Sequence, residues 1–403
     1  LERTIVGIDV GTTKVCTLVG EVDEEGLCVV GVGIAPSRGL REGVVVDVND
    51  ATEAIRESVE EAERTSGYRI KRAYVSIAGA HISSVNSRGM AVVSRRDRSI
   101  TQGDINRALK AAQAIAIPYN REVIHVIPRG YTIDGQDGVR DPLGLYGFRL
   151  EMEVLIITGS ITFIQNLVKC VRELDIEIEE LVFSALASSE AVLTDAERDM
   201  GVALVDIGGG TTAIAIFSDG GILRSVVLRL GGNDFTNDIA ICLRAPFSTS
   251  DEAKKKYGHA IPGKVPPDET IELAVFGGES KRNISRRLLS QIIEARAEQI
   301  FGFIFQEIKR SGYEGLLPAG VVLCGGTAEL AGIREFGQEI LQLPVRIGFP
   351  QGIHGLVDSI SGPAYAASVG LLLWGLRHGA AHPARETLLH RLIRWFKEVF
   401  STE

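Results

Sequence analysis

One short phrase occurs twice in this chain: an apolar strand, an aspartate, then a turn of glycine and threonine. It reads Thr4-Ile-Val-Gly-Ile-Asp-Val-Gly-Thr-Thr-Lys14 near the start and Val202-Ala-Leu-Val-Asp-Ile-Gly-Gly-Gly-Thr-Thr212 past the middle. Either copy alone is compatible with an ordinary hairpin ending in Asp-x-Gly. Two copies, each opening one half of the chain, point to paired domain halves. Glycines admit backbone amides to phosphate oxygens, and threonine hydroxyls add donors. The carboxylates of Asp9 and Asp206 supply oxygens for Mg²⁺, a cation that keeps several of its waters. Two such turns facing each other clamp a nucleotide's phosphates from both sides.

The chain has 403 residues, more than one core organises, so several domains are expected. It is 45% hydrophobic and 24% charged with a net charge of -9. That balance describes a globular body and gives no basic excess for broad nucleic-acid binding. Cys16, Cys28, Cys170, Cys242 and Cys324 are scattered without a Cys-x-x-Cys pair. Their spacing predicts buried free thiols, with neither a disulfide framework nor a zinc site. No apolar run reaches about 18 residues, so no spanning helix is expected. No secretory leader is expected either.

Strand-like runs at 5–9, 15–19, 27–34 and 43–46 lead into a helix over 51–64 and a strand over 73–78. From 83 to 158 the pattern changes to a small α+β unit. Thr101-x-x-Asp104 opens a helix expected over 105–117, with strands at 123–127 and 150–157. Helices follow at 160–174 and 184–193. After the second turn, a stretch of lower apolar density from 233 to 312 reads as another insert, ending in a long helix over 284–310. Gly320-Val-Val-Leu-Cys-Gly-Gly-Thr327 runs a buried strand through a double glycine, which either lays adenosine against bare backbone or makes a tight turn. Ser361–Leu373 and Ala185–Ser189 are small-residue helices able to cross closely at a hinge.

This order of turns and small-residue helices resembles the actin/Hsp70/sugar-kinase ATPase superfamily. Within it, Asp141-Pro-Leu-Gly-Leu-Tyr-Gly-Phe-Arg-Leu-Glu151, Gly231-Gly-Asn233 and Ala185–Ser189 resemble the FtsA family of bacterial division proteins. The resemblance implies an α/β, actin-like ATPase fold of two RNase H-like halves, each with an inserted subdomain, plus a C-terminal amphipathic helix. The implied subdomains are 1A at 1–83 and 161–198, 1C at 84–160, 2A at 199–232 and 313–375, and 2B at 233–312. A linker at 376–387 and a helix at 388–403 follow. ATP and Mg²⁺ are the implied ligands. Asp9, Gly11, Thr12, Thr13 and Lys14 match the first phosphate turn, and Asp206, Gly208, Gly209, Gly210, Thr211 and Thr212 match the second. Gly231, Gly232 and Asn233 match the ribose side, and Gly325, Gly326 and Thr327 the adenosine turn. Lys254 matches an adenine contact whose acidic partner falls on Asp251 or its neighbour Glu252. The implied role is to form filaments at the cytoplasmic membrane face, tether the tubulin-like FtsZ to it at the division site, and help recruit later division proteins. Nothing in the sequence sets a water in line with a γ-phosphate, so ATP binding with slow or negligible turnover is expected.

On a helical wheel, Leu388, Leu389, Leu392, Ile393, Trp395, Phe396, Val399 and Phe400 fall within an arc of roughly 160°. Arg391, Arg394 and Lys397 lie on the other side, a pattern that suits the interface of an anionic membrane. A helix docked on its own domain is the alternative. Arg286, Arg287 and Arg296 make a basic stripe that reads as a solvated helix face or, through the resemblance, as a seat for the acidic FtsZ tail. His81, His125 and His354 stand alone and read as structural. Three rival functions use the same core. A sugar or acid kinase needs a catalytic base that does not stand out, and an Hsp70-like chaperone needs a further domain. A PilM-type pilus-assembly protein shares the core and the insert.

Overall fold

The computed structural model describes residues 4–94, 98–276 and 281–379. The first half opens with strands β1 (Thr4–Val10), β2 (Lys14–Val22) and β3 (Leu27–Pro36). A short hairpin, β4 (Leu40–Arg41) with β5 (Val44–Val45), leads to helix α1 (Val48–Ser66) and strand β6 (Arg72–Ile77). Asp47 caps α1 by accepting from the amides of Asn49 and Asp50, and Gly67 ends it in the left-handed region at φ 76°, as helix termini require.

The insert follows: β7 (Ser83–Val92), α2 (Gln102–Gln113), β8 (Arg121–Ile133), β9 (Gln136–Val139) and β10 (Arg149–Ser160). Its antiparallel sheet runs β7-β10-β8-β9 and has a core of its own, built around Ile105, Ala108, Leu150, Met152 and Val154. Helix α2 lies against the sheet at Gly89, where an added Cβ would overlap the Ala108 carbonyl oxygen. The expected helix over 105–117 is therefore displaced. Thr101 donates its amide and its hydroxyl to Asp104 at 2.8 and 2.6 Å, opening the helix at once. The helix ends at Gln113 with Ala114 as its C-cap, short of Pro118, which disfavours helical geometry in the residue before it. Strand β7 escapes the sequence reading because Ser83, Asn86 and Arg88 are exposed and polar and interrupt its apolar residues.

The chain then returns through α3 (Ile161–Arg172), β11 (Glu177–Phe183), α4 (Ser184–Val192) and α5 (Asp195–Met200). The second half repeats the opening with β12 (Val202–Ile207), β13 (Thr212–Ser218) and β14 (Gly221–Leu228). Its own insert comprises α6 (Gly232–Leu243), α7 (Phe247–Tyr257), the hairpin β15 (Thr270–Leu273) and β16 (Arg282–Ser285), and the long α8 (Arg286–Ser311). It closes with β17 (Val321–Cys324), α9 (Ile333–Leu341), β18 (Val345–Ile347), β19 (His354–Gly355) and α10 (Ala366–His378).

The two main sheets share one plan. The first runs β11-β6-β1-β2-β3-β19 and the second β14-β13-β12-β17-β18. In each, a three-stranded antiparallel meander carries parallel strands on the side of its first strand. The α/β fold of two RNase H-like halves, each carrying an insert, is thus present. Between the halves α4 and α10 cross so tightly that a Cβ at Gly370 would overlap the Ala187 carbonyl oxygen. The amphipathic segment 388–403 lies outside the described residues.

Candidate functional site

The two repeated turns are built alike and touch. Each aspartate ends the first strand of its half, and each turn is closed by an amide two residues on: Gly11 N donates to Lys14 O at 3.0 Å, and Gly208 N to Thr211 O at 2.9 Å. A Cβ at Gly209 would overlap the Thr13 methyl, and one at Gly210 would come 3.0 Å from Thr12 Oγ1. Bare backbone is therefore what lets the turns meet. Around them opens a cleft of about 500 Å³, within the range of small-molecule sites.

Both carboxylates are held by serines of the crossed helices. Ser188 of α4 donates to Asp206 Oδ2 at 2.7 Å, and Ser368 of α10 donates to Asp9 Oδ2 at 2.8 Å. Asp9 also accepts from Ser76 at 2.8 Å, while the Ser76 hydroxyl receives the Val10 amide. Each helix thus reaches across to the turn of the other half. Asp206 sits on the enclosed floor, where loss of water, and then the neighbouring charge of Asp9, push its pKa up to about 6 against the pull of Ser188 and Lys14. A cation between the aspartates would relieve that cost. The cleft wall offers carboxylates, hydroxyls and amides, with no thiol or imidazole among its described residues. That donor set suits a hard cation such as Mg²⁺.

Of the residues assigned from sequence, Asp9, Gly11, Thr12, Thr13 and Lys14 line the cleft from the first half. Asp206, Gly208, Gly209, Thr211, Gly232, Asn233, Lys254, Gly325, Gly326 and Thr327 line it from the second. Gly210, Thr212 and Gly231 do not. Thr212 is fully buried and spends its hydroxyl on Leu230 O at 2.8 Å. Gly231 lies behind the second turn, where a Cβ would press 2.7 Å from Gly208 O, and the Gly232 and Asn233 amides pin the start of α6 to that turn. Gly325 takes φ 81° with its absent Cβ 2.5 Å from Asp206 Oδ1. Only glycine fits there.

Lys254 donates to Gly232 O at 2.9 Å and Thr236 Oγ1 at 2.6 Å, and pairs with Asp251 at 2.8 Å. Asp251 faces the cleft, and Glu252 is exposed away from it. Sequence reasoning missed several lining or supporting groups. Ser188 and Ser368 lie within segments read as small hinge residues. Tyr365 carries Lys14 Nζ 4.3 Å above its ring, and that same nitrogen donates to Ala364 O at 2.6 Å. Neither contact has a local sequence signal.

The three arginines of the basic stripe differ. Arg286 is bound bidentately to Glu269 at 2.9 Å and donates to Tyr257 O. Arg296 grips both oxygens of Asp238 at 2.6 and 2.7 Å. Half-buried Arg287 makes no ion pair among the described residues. His125 and His81 are structural acceptors: His125 Nε2 takes the Phe183 amide at 3.0 Å, and His81 Nδ1 takes the Ser160 amide at 3.2 Å. His354 does not stand alone, because its Nε2 meets Asp23 at 2.9 Å.

Two family models match the chain, one for cell division protein FtsA over residues 203–370 and one for the SHS2 domain inserted in FtsA over 79–158. The cell division protein FtsA of Pseudomonas aeruginosa is 43% identical, covering 99% of this chain and 98% of its own length. The FtsA of Escherichia coli is 36% identical over 93% and 90%. The chain belongs to the FtsA family. It is an actin-like cell division protein, and its insert, β7 to β10 with α2, is the FtsA-type SHS2 domain.

Solved structures agree on the fold. A PilM–PilN type IV pilus biogenesis complex superposes with a TM-score of 0.67 at 15% identity, over 92% of this chain and 98% of that one. MreB5 of Spiroplasma citri bound to AMPPNP gives 0.58 at 16%, over 94% and 98%. The PilM likeness concerns architecture alone, and the much higher identity places the chain with FtsA. Among the described residues, no helix is long and apolar enough to cross a membrane.

Proposed function

We propose that this FtsA binds Mg²⁺·ATP between its two halves and uses the bound nucleotide to hold them closed, so that subunits stack into filaments. The carrying observation is the pair of facing turns whose aspartates, Asp9 and Asp206, are each anchored by a serine from the helix crossing beneath. The turn amides and Lys14 cradle the phosphates, and the aspartates hold the hydrated cation. Gly325, Gly326, Thr327 and Lys254 border the nucleoside. Asp251 is engaged by Lys254 and Lys255; hydrolysis needs an attacking water in line with the γ-phosphate, for which no residue stands out, so turnover is slow or negligible. The subdomains are those expected from the sequence, with the hinge at the small-residue helices α4 and α10.

The filament lies on the cytoplasmic membrane face at the division site. Residues 388–403 enter the anionic lipid interface, weakly as single helices and strongly as a row of them. The acidic FtsZ tail binds the second insert near Arg287, with Arg286 and Arg296 in supporting ion pairs. Later division proteins join the same filament.

Two experiments separate these claims. Titration of a fluorescent ATP analogue with Mg²⁺ should show saturable binding that EDTA weakens at least tenfold and Asp206→Asn abolishes; equal binding by the variant overturns the clamp. Pelleting with anionic liposomes should carry down the full chain and leave a chain ending at residue 387 in the supernatant. A full chain that ignores lipid sinks the tether. A steady-state turnover above about 1 s⁻¹ would mark an enzyme of kinase type instead.

A further inference from the structure

Away from the cleft, three residues remote in sequence meet at the free edge of the first sheet. β19 pairs with β3 in parallel, and the register sets His354 directly beside Cys28. The turn between β2 and β3 contributes Asp23. Its Oδ1 accepts the amides of Glu25 and Gly26 at 2.9 and 3.0 Å, which fixes the carboxylate and turns Oδ2 toward His354 Nε2 at 2.9 Å. A carboxylate oxygen of Asp23, Cys28 Sγ and a His354 ring nitrogen all lie within 4.8 Å of one another. None of them lines the nucleotide cleft.

The surroundings are shaped for a cation. Gly355, at φ 89°, leaves room for the thiol, since a Cβ there would sit 2.8 Å from Cys28 Sγ. Across β2 and β3, Glu21 is the register partner of Cys28, close enough for side chains to touch. Its Oε1 is shut off from water with no hydrogen-bond partner. Glu21, Asp23 and Glu25 together place negative charge around Cys28, and among the described residues no lysine or arginine pairs with Asp23 or Glu21. An unpartnered buried oxygen of Glu21, near the carboxylates of Asp23 and Glu25 with only His354 to offset them, is costly unless something positive binds.

We propose that Asp23, Cys28 and His354 form a zinc site, with Glu21 or a water as fourth ligand. Thiolate, imidazole and carboxylate together select Zn²⁺ over Mg²⁺ or Ca²⁺. Zinc at about 2.0–2.3 Å from each ligand needs donor atoms roughly 3.3–3.8 Å apart, a side-chain adjustment from the present spacing. Binding replaces the Asp23–His354 hydrogen bond with two metal bonds and releases the Cys28 thiol proton to solvent.

The role that follows is a staple. β19 is only two residues long, yet it anchors the segment returning from β18 in the second half to α10, and that segment carries Pro363, Ala364 and Tyr365 of the cleft. Two register pairs, His354 with Cys28 and Gly355 with Val29, and the Leu356 amide donating to Val29 O at 2.9 Å make a short ladder. A metal bound by β3, β19 and the β2–β3 turn fixes the segment to the first sheet.

The test uses the full chain stripped with chelator and titrated with Zn²⁺ or Co²⁺ alone. One equivalent should bind, and Co²⁺ should give a thiolate charge-transfer band with tetrahedral d–d bands. Loss of a partner behind a metal ligand costs about 10–100-fold in affinity, so Cys28→Ser and His354→Gln should each exceed about 100-fold. Cys242→Ser, which alters the exposed cysteine on α6, should change nothing. Should Cys28→Ser not fold, alkylation mapping on the unaltered chain decides, since Zn²⁺ must protect Cys28 and leave Cys242 reactive. No thiolate band with Co²⁺, a band lost in Cys242→Ser but kept in Cys28→Ser, or no protection of Cys28 overturns the site.

Discussion

Ser188 donates to Asp206 at 2.7 Å from a helix that belongs to the other half of the molecule. The bond opposes the burial that raises the Asp206 pKa to about 6. Ser188→Ala should therefore push that pKa higher. Mg²⁺·ATP affinity, measured by calorimetry from pH 6 to 8, should fall several-fold at pH 6.5 and recover toward pH 8. An equal loss at every pH would mean that the hydroxyl acts only by packing.

Asp206→Asn should separate stability from binding. A carboxyl whose folded pKa lies above its unfolded value holds its proton more tightly when folded. It contributes stability below about pH 4 that is lost as pH rises through about 6. At pH 7.5 the nucleotide-free chain carries that cost, so Asn should stabilise it, by on the order of 1–2 kcal/mol. Denaturant melts without ligand should show the gain, and melts with Mg²⁺·ATP should show no ligand-induced shift.

His125 works in the opposite sense. Burial is the main cause that lowers its pKa from 6.5 to about 4, and Nε2 must stay unprotonated to accept the Phe183 amide. The stability it contributes is complete above about pH 6.5 and is lost as pH falls through about 4, on the order of 2–3 kcal/mol. His81, also depressed to about 4, adds to the same slope. Both tie the insert to the first half, His125 from β8 and His81 beside β7. Hydrogen exchange at pH 5 should show this junction opening first. His125→Gln should flatten the acid limb of the stability curve between pH 4 and 6.5.

Gly370→Ala tests the crossing of α4 and α10. The new methyl would occupy the position of the Ala187 carbonyl oxygen, and backbone cannot step aside as a flexible side chain does. Such overpacking should cost about 3 kcal/mol or more. The contrast is Gly302→Ala on α8, where an added Cβ meets nothing within 4 Å. That change should be neutral or slightly stabilising, by up to about 1 kcal/mol, in thermal melts run side by side.

Much of the core was legible because its signals are local. A buried strand ending in Asp and a Gly/Thr turn is contiguous, so both halves and most of their elements can be read along the chain. Helix α1 has its apolar spacing, its Asp47 cap and its Gly67 stop in one run. Strand β7 was missed because the face it lays against α2 is built of Ser87, Gly89 and Ala91, with exposed Asn86 and Arg88 alternating with them, so no apolar alternation marks it. Helix α6 was missed because its cap and first turn are the same Gly231-Gly-Asn233 that reads as a ribose loop. Thr212 and Gly231 were assigned to the cleft by motif, but one residue of strand alternation turns Thr212 into the core.

Sequence by itself determined the duplicated halves, the two aspartates, the glycines that let their turns approach, and membership of the FtsA family. Tertiary structure alone decided which groups act on those aspartates. Ser188 and Ser368 reach them only because two helices cross at Gly370. His354 finds Cys28 only because a two-residue strand completes the far edge of a sheet. Cysteine spacing argued against zinc, since spacing sees only neighbours along the chain. Parallel pairing joins residues from opposite ends of it, and that register exists only in the folded state.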